Sequence, residues 1–400
     1  MNMRNTRPTA ITLPARQHPV ALAWWRTLDL ALAALLLAAC PLAAANASLP
    51  ALTAPQGEQA PSTAEHSDVL PPPSERWPAP PLPELKELPA DVTGQVRPPR
   101  PLALRDDVWV VATRPAPSME HCPHFYRYCG GQRRSAELSD FLAANEDGLP
   151  LCVWIHGYQV CPEVAEQMGL DVYEQMRKAC PAGVHFRFVI WSWPSRKCGP
   201  YRIDARRKAR QSDVEGFKLA KLIQQLPPQV PVGLMGFSFG ARTTGAALHC
   251  MGGGRIANMA LADCDPAARP VRAALLAGAL DHDAFSPGGL NSHAAQAADR
   301  VCVLVNRHDP VLIAYRHLET FRGTMAMGHT GPVGTAGQYV PGQYVTYDVT
   351  WKIGFSHCWT RYVNSPAIMQ PVSALLLYAD WYQPLGHESA QWMAPEPIAR

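Results

Sequence analysis

The sequence has little excess charge of either sign. Its 36 lysine and arginine residues stand against 33 aspartate and glutamate residues, so the net charge at pH 7 is +3. The basic residues are dispersed, and the one dense run, RRKAR at 206–210, is typical of a solvated helix face. We therefore expect no nucleic acid among its partners. The apolar share of 47% in 400 residues is ordinary for a folded core.

The N-terminal part lacks an apolar run of the ~20 residues that a membrane-spanning helix needs. The run LALAALLLAA at 30–39 is only half that length, and four arginines, Arg4, Arg7, Arg16 and Arg26, precede it. This pattern is typical of an export signal. We therefore predict a signal peptide over 1–40 and a protein that leaves the cytoplasm for the cell envelope.

Two processing sites compete at the end of this signal. Leu37-Ala38-Ala39-Cys40 resembles the bacterial lipobox, whose cysteine is lipidated and becomes the mature N-terminus. Ala45-Asn46-Ala47 fits the A-x-A site of ordinary signal peptidase. The first predicts a lipoprotein anchored to the membrane through Cys40, and the second predicts a periplasmic or secreted protein. An uncleaved anchor is a third alternative.

The sequence also lacks the C-x-x-C spacing of structural zinc sites. The tightest group of candidate ligands, His121, Cys122, His124 and Cys129, therefore favours a local Cys122–Cys129 disulfide or a plain loop, and we predict no metal site. Eleven cysteines are many for a cytosolic enzyme, and removal of Cys40 leaves an even ten. If export is right, most of these thiols should be paired.

Proline divides the chain. Seventeen of its 40 prolines lie between positions 41 and 117, where few aromatic residues occur. Proline at this density blocks helix and sheet formation and stiffens the chain. We predict a proline-rich linker over 41–104, a folded domain over 105–385 and a C-terminal tail over 386–400.

From position 107, short apolar runs alternate with longer amphipathic stretches. This alternation is typical of an α/β protein with a doubly wound, mostly parallel sheet and helices on both faces. We predict strands at 108–113, 151–156, 185–193, 230–237, 256–263, 300–306 and 344–351. We predict helices at 163–179, 204–226, 240–251 and 367–378.

The pentapeptide GFSFG at 236–240 lies between a predicted strand and a predicted helix. In a nucleophile elbow, a serine sits at the apex of such a turn, and its strained backbone presents Oγ to the substrate. Side chains at Gly236 and Gly240 would collide with the adjacent elements. The pentapeptide alone is a weak signal, but its context predicts Ser238 as a nucleophile.

A serine nucleophile requires a base, which a carboxylate orients. In this architecture the acid and then the histidine follow the serine along the chain, each after a strand. Asp309 follows the run RVCVLVN, and His357 follows YVTYDVTW. These are the predicted acid and base. Asp263 or Asp265 remains an alternative acid, and His329 an alternative base.

Acyl transfer also requires two N–H donors for the oxyanion. We predict the backbone N–H of Phe239, directly after the serine, as one donor. The second donor is the N–H of Tyr158, because HGY at 156–158 follows an early strand and Gly157 lets the backbone approach. We expect His156 to orient this loop rather than to take part in catalysis.

Several segments together, VWIHGY, VIWSWPS, GFSFGAR, NRHDPVL and FSHCWTRYV, are similar in order and spacing to the α/β hydrolase superfamily. More narrowly, HGY and SWPS resemble the bacterial esterase/lipase-like hydrolases of unknown function. The resemblance covers about 107–380 and implies a triad of Ser238, Asp309 and His357. The elbow departs from the H-S-M-G of many relatives, since Phe237 and Phe239 are bulkier and narrow the acyl pocket.

The leading hypothesis is an exported serine hydrolase that acts on a small-molecule carboxylic ester through an acyl-enzyme. This chemistry requires no metal or organic cofactor. One alternative is a non-catalytic binding protein, tethered in the envelope and built on a hydrolase scaffold, because fold does not imply function. Another is an acyltransferase that uses the same residues.

Overall fold

The computed structural model describes residues 107–114, 123–318, 324–334 and 343–378. All of them belong to one compact unit, Arg97–Arg400. The predicted signal peptide (1–40), linker (41–104) and tail (386–400) lie outside the described residues, as do Cys40 and Cys122. Within the described part, every helix is too short or too polar to cross a membrane.

Nine strands form a single sheet in the order β3-β2-β1-β5-β4-β6-β7-β8-β9. The antiparallel pairs are β1–β2 and β2–β3, and all other neighbours are parallel. The strands are β1 Asp107–Ala112, β2 His124–Cys129, β3 Gln132–Ala136, β4 Leu151–Ile155, β5 Arg187–Ser192, β6 Val232–Phe237, β7 Val271–Leu276, β8 Arg300–Val305 and β9 Tyr344–Asp348.

The helices that connect the strands cover both faces of the sheet. On one side α3 packs on α4 and α4 on α5, and on the other α10 packs on α2 and α9. The helices are α1 Leu138–Ala144, α2 Pro162–Ala179, α3 Tyr201–Gln224, α4 Phe239–Met251, α5 Ala294–Ala297, α6 Pro310–Leu318, α7 Met327–Thr330, α8 Thr350–Ile353, α9 Trp359–Val363 and α10 Pro366–Leu376.

The core lies in the middle of the sheet. Every residue of β4, β5 and β6 is buried, as expected for parallel strands with helices on both faces. Continuous apolar runs in the sequence encode these strands. The predicted parallel α/β architecture, with helices on both faces, is confirmed.

One predicted strand is wrong. The segment 256–263 forms turns, with a single bridge between Ile256 and Met259. The strand that lies beside β6 is instead β7, Val271–Leu276, which sequence reasoning missed. Asp263 adopts a left-handed backbone with φ 49°, which a strand does not allow. The predicted strand at 344–351 also ends early, because α8 begins at Thr350.

Nine cysteines lie in the described part, and no disulfide joins any two of them. Cys152 and Cys302 lie in β4 and β8 and are buried, so they pack as small core residues. Cys264 is half-buried and directly follows the segment 256–263, which forms turns instead of the predicted strand. The expectation that most thiols are paired is therefore not met among these nine. Cys129 is one of them, and its predicted partner lies outside the described residues.

Candidate active site

Ser238 lies at the sharp junction between β6 and α4. Its backbone is left-handed, with φ 55° and ψ −119°, a conformation that costs free energy for a residue with a Cβ. Backbone hydrogen bonds to adjacent segments of the protein hold Ser238 in this conformation. The Ser238 N–H donates to the Leu276 carbonyl at 3.0 Å, and its own carbonyl accepts from Ala241 N at 3.0 Å and Ala279 N at 3.2 Å.

The two glycines of the elbow lie where no side chain fits. A Cβ on Gly240 would lie well inside 3.0 Å of the Ile155 carbonyl of β4, and a Cβ on Gly236 would also lie inside 3.0 Å of the Gly240 carbonyl. Both obstacles are backbone atoms in the centre of the sheet and cannot move aside. This close approach of β4, β6 and α4 explains why glycine flanks Ser238.

The structure brings Ser238, Asp309 and His357 together. The Ser238 hydroxyl donates to His357 Nε2 at 3.0 Å, and His357 Nδ1–H donates to Asp309 Oδ2 at 2.7 Å. All three residues are buried, with exposed fractions of 8%, 0% and 4% in chain order. The three residues follow β6, β8 and β9, whose carboxyl ends meet at one edge of the parallel sheet.

Asp309 is held in a fixed orientation at the start of α6. Its Oδ1 accepts from the backbone N–H groups of Val311 at 2.9 Å and Leu312 at 3.2 Å, as a helix N-cap does. The other oxygen, Oδ2, is thereby directed at His357. Phe237 supports the imidazole from the side, with ring centroids 5.1 Å apart.

The alternative residues lie elsewhere. Asp263 and Asp265 are exposed in the turn that replaces the predicted strand, so neither is placed as the acid. His329 lies half-buried in α7, and burial lowers its pKa. The hydroxyl of Ser238 forms its hydrogen bond with His357, the predicted base, rather than with His329.

The loop after β4 lies directly against the serine. A Cβ on Gly157 would lie 3.1 Å from Ser238 Cβ and 3.3 Å from the Phe237 carbonyl, so the backbone of 157–158 approaches the elbow closely. Phe239 is the first residue of α4, where a backbone N–H has no intrahelical acceptor. The two predicted oxyanion donors, Tyr158 N–H and Phe239 N–H, therefore lie on the two segments that meet at Ser238.

His156 belongs to the framework of this loop. Its ring is buried, stacks on Trp193 with centroids 5.7 Å apart, and lies between Arg114 Nη2 at 3.1 Å and the Gly157 carbonyl at 2.9 Å. Burial and the positive charge of Arg114 lower the pKa of His156 to about 3. A neutral imidazole accepts from Arg114 at Nε2 and donates to Gly157 from Nδ1. Sequence reasoning missed Arg114, which no motif marks.

A small cavity of about 40 Å³ opens beside Ser238. Its walls are mainly aromatic and aliphatic: Tyr158, Tyr201, Ala205, Phe239, Ala279, Val311, Leu312 and Tyr315. A larger cavity of about 400 Å³ lies between the β2–β3 ribbon and α1, and none of the three triad residues lines it. Among the described residues, no group of three or more His, Cys, Asp or Glu side chains is placed to hold a metal ion.

No family model matches the chain, and no curated protein matches it. The solved structures that are similar to it in fold include two at 13% identity each. TT1662 from Thermus thermophilus has a TM-score of 0.35, and the alignment covers 64% of this chain and 92% of TT1662. A cutinase-like protein from Cryptococcus sp. has a TM-score of 0.30, with 58% and 96% covered. These likenesses are too low to indicate an activity. The sheet order and the strand ends that carry Ser238, Asp309 and His357 are those of the α/β hydrolase fold.

Proposed function

We propose that the chain is a serine hydrolase that cleaves a carboxylic ester through an acyl-enzyme intermediate. The observation that carries this proposal is the continuous hydrogen-bonded relay from Ser238 Oγ through His357 to Asp309, at 3.0 and 2.7 Å. A second observation supports it. Ser238 occupies a strained left-handed backbone, and such strain is characteristic of functional sites.

In the first half-reaction, Ser238 Oγ forms a bond to the ester carbonyl carbon while its proton passes to His357 Nε2. Asp309 keeps the Nδ1–H tautomer and stabilises the imidazolium. The carbonyl oxygen becomes an oxyanion, for which we propose the N–H groups of Phe239 and Tyr158 as donors. His357 then gives the proton to the departing alcohol, and the acyl group stays on Ser238.

In the second half-reaction, water attacks the acyl carbon and transfers a proton to His357 Nε2. The tetrahedral intermediate collapses, the carboxylic acid leaves, and the proton returns to Ser238. One ester and one water give one acid and one alcohol. The helix dipole of α4, whose N-terminus lies at Ser238, favours the negative charge of both intermediates.

A fluorophosphonate probe tests the nucleophile. We expect wild-type protein to be labelled on the peptide that contains Ser238, and Ser238→Ala to remain unlabelled. Ser373→Ala is the matched control, because Ser373 is a buried serine of α10 and should leave labelling intact. Equal labelling of the wild type and Ser238→Ala would remove Ser238 from the mechanism.

Hydrolysis of p-nitrophenyl acetate tests the reaction. Removal of a triad serine lowers kcat by roughly 10⁶-fold, so Ser238→Ala should retain only a trace of the wild-type turnover. A binding protein without catalytic activity would hydrolyse the ester no faster in the wild type than in the variant. Transfer of the acyl group to an acceptor other than water would appear in product analysis as a new ester or amide.

We further propose that the protein is exported to the cell envelope. It is then either anchored to the membrane by a lipid on Cys40, or cleaved and released as a periplasmic or secreted protein. This part of the proposal rests on the signal-like pattern at 1–40 alone. Mass measurement of the mature N-terminus distinguishes the two forms.

A further inference from the structure

We propose that the substrate carries a short acyl group of about two to four carbon atoms, and that Tyr201 and Leu312 set this limit. The inference rests on the proposed hydrolase function and names its substrate class. The cavity beside Ser238 adjoins both Ser238 and the two segments proposed to bind the oxyanion.

The position of the cavity identifies which half of the ester enters it. Ser238, Phe239 and Tyr158 line the cavity, whereas His357 does not. The leaving alcohol must lie at His357 Nε2, because that atom gives it a proton. The acyl group extends from the carbonyl carbon away from the leaving group. The cavity is therefore the acyl pocket.

The size of the cavity sets the length of the acyl group. A cavity needs about 10–15 Å³ of this volume for each water-sized group that it holds. The available 40 Å³ therefore holds about three such groups. An acetyl, propionyl or butyryl chain fits, whereas an octanoyl chain has no room without displacement of the walls.

Hydrogen bonds to buried carboxylates fix two of the aromatic walls. The Tyr158 hydroxyl donates to Asp204 Oδ2 at 2.6 Å, and burial raises its pKa, so it remains a donor. The Tyr315 hydroxyl donates to Asp281 Oδ1 at 2.9 Å. Asp204 and Asp281 are only 2% and 3% exposed, so neither ring swings aside at low cost.

The side chains of Tyr201 and Leu312 complete the wall, and the contact of Leu312 with the triad is made by its backbone N–H, which donates to Asp309 Oδ1 at 3.2 Å. The Tyr201 ring lies 6.1 Å from that of Tyr158, at the first position of α3. Leu312 is 1% exposed in α6 and lines the cavity, so its truncation would enlarge the cavity. Truncation of either side chain should make room for a longer acyl chain, because the atoms removed line the cavity.

Chain-length profiles of the full-length protein test this inference. We expect kcat/KM for p-nitrophenyl octanoate to be about 100-fold below that for the acetate, because the carbon atoms beyond the fourth must force the packed walls of the cavity apart. Tyr201→Ala and Leu312→Ala should each raise the octanoate-to-acetate ratio by ~10-fold or more. Tyr126→Ala, on β2 and outside the cavity, is the control and should keep the wild-type ratio.

If one of the variants Tyr201→Ala and Leu312→Ala folds poorly, the other still tests the inference. An octanoate rate equal to the acetate rate in the wild type would overturn the short-acyl assignment, as would an unchanged ratio in every folded variant. Failure of the hydrolase function itself has a different signature. In that case the fluorophosphonate does not label Ser238, and neither ester is turned over faster than in Ser238→Ala.

Discussion

Asp309→Asn offers a sharp test of how the site works, because the substitution changes hydrogen-bonding chemistry without a change in shape. Asp309 is fully buried, and its two carboxylate oxygens have different partners. Oδ2 accepts from His357 Nδ1 at 2.7 Å, and Oδ1 accepts from the N–H groups of Val311 and Leu312. Asparagine has one oxygen and one NH₂ group to serve these two sides.

The two backbone donors decide how the asparagine turns. Its oxygen must face Val311 and Leu312, since an NH₂ group there would oppose two N–H groups. The NH₂ group then faces His357 and donates to Nδ1, which forces the imidazole proton onto Nε2. An Nε2–H cannot accept the proton of Ser238. We therefore expect kcat to fall by ~10⁴-fold, as the wrong tautomer does in Ser-His-Asp enzymes. This loss corresponds to about 5 kcal/mol of transition-state stabilisation.

Steady-state hydrolysis of p-nitrophenyl acetate measures the effect. KM should change little, because Asp309 is bonded to His357 and to backbone rather than placed in the acyl pocket. Asp263→Asn and Asp265→Asn make the same chemical change at the alternative acids and should retain wild-type kcat, since both residues are exposed in a turn. A thermal unfolding curve establishes that the Asp309 variant is folded. If that variant keeps kcat within tenfold of the wild type, the reasoning fails.

Two further predictions concern the framework of the site. Gly240→Ala should lower the free energy of unfolding by ~3 kcal/mol or more, because its Cβ meets the Ile155 carbonyl, whereas Gly245→Ala on the same helix meets only side-chain atoms at 3.1–3.4 Å and should lose far less in urea titrations. Equal losses would contradict the packing argument. The pKa of His156 is lowered from 6.5 to about 3, so the unfolded chain binds this proton first as the pH falls. The contribution of neutral His156 to the free energy of unfolding should be fully present above pH 6.5 and should fall by ~1.4 kcal/mol per pH unit below it. The free energy of unfolding of His156→Gln should therefore depend less steeply on pH, by this amount, between pH 6 and 4. Parallel slopes for the two proteins would rule out a buried neutral His156.

The elbow was predictable because its requirements are local. A serine in a left-handed turn between a strand and a helix needs glycine two positions before and two positions after it, and the pentapeptide GFSFG has both glycines. The fully buried strands were predictable for a similar reason, since parallel strands with both faces covered require continuous apolar runs. The one mistaken strand, at 256–263, has such an apolar run, but turns with left-handed residues interrupt it.

The missed elements have weaker local signals. The strand β7, Val271–Leu276, lies in an alanine-rich stretch that also suits a helix, and its place beside β6 decides its conformation. The ribbon β2–β3 is mostly exposed and polar, so no apolar period marks it. No sequence motif marks the Arg114–His156 contact or the Tyr158–Asp204 hydrogen bond, because the two residues of each pair are more than 40 positions apart.

The sequence by itself determined the elbow, the parallel α/β class and the order of serine, acid and histidine along the chain, because these follow from backbone sterics and hydrophobic pattern. Only the tertiary structure decided that Asp309 rather than Asp263 faces His357, and that the cavity beside Ser238 is small. Ser238 and His357 are 119 positions apart, and it is the order of β6, β8 and β9 in the sheet that brings their side chains to one edge.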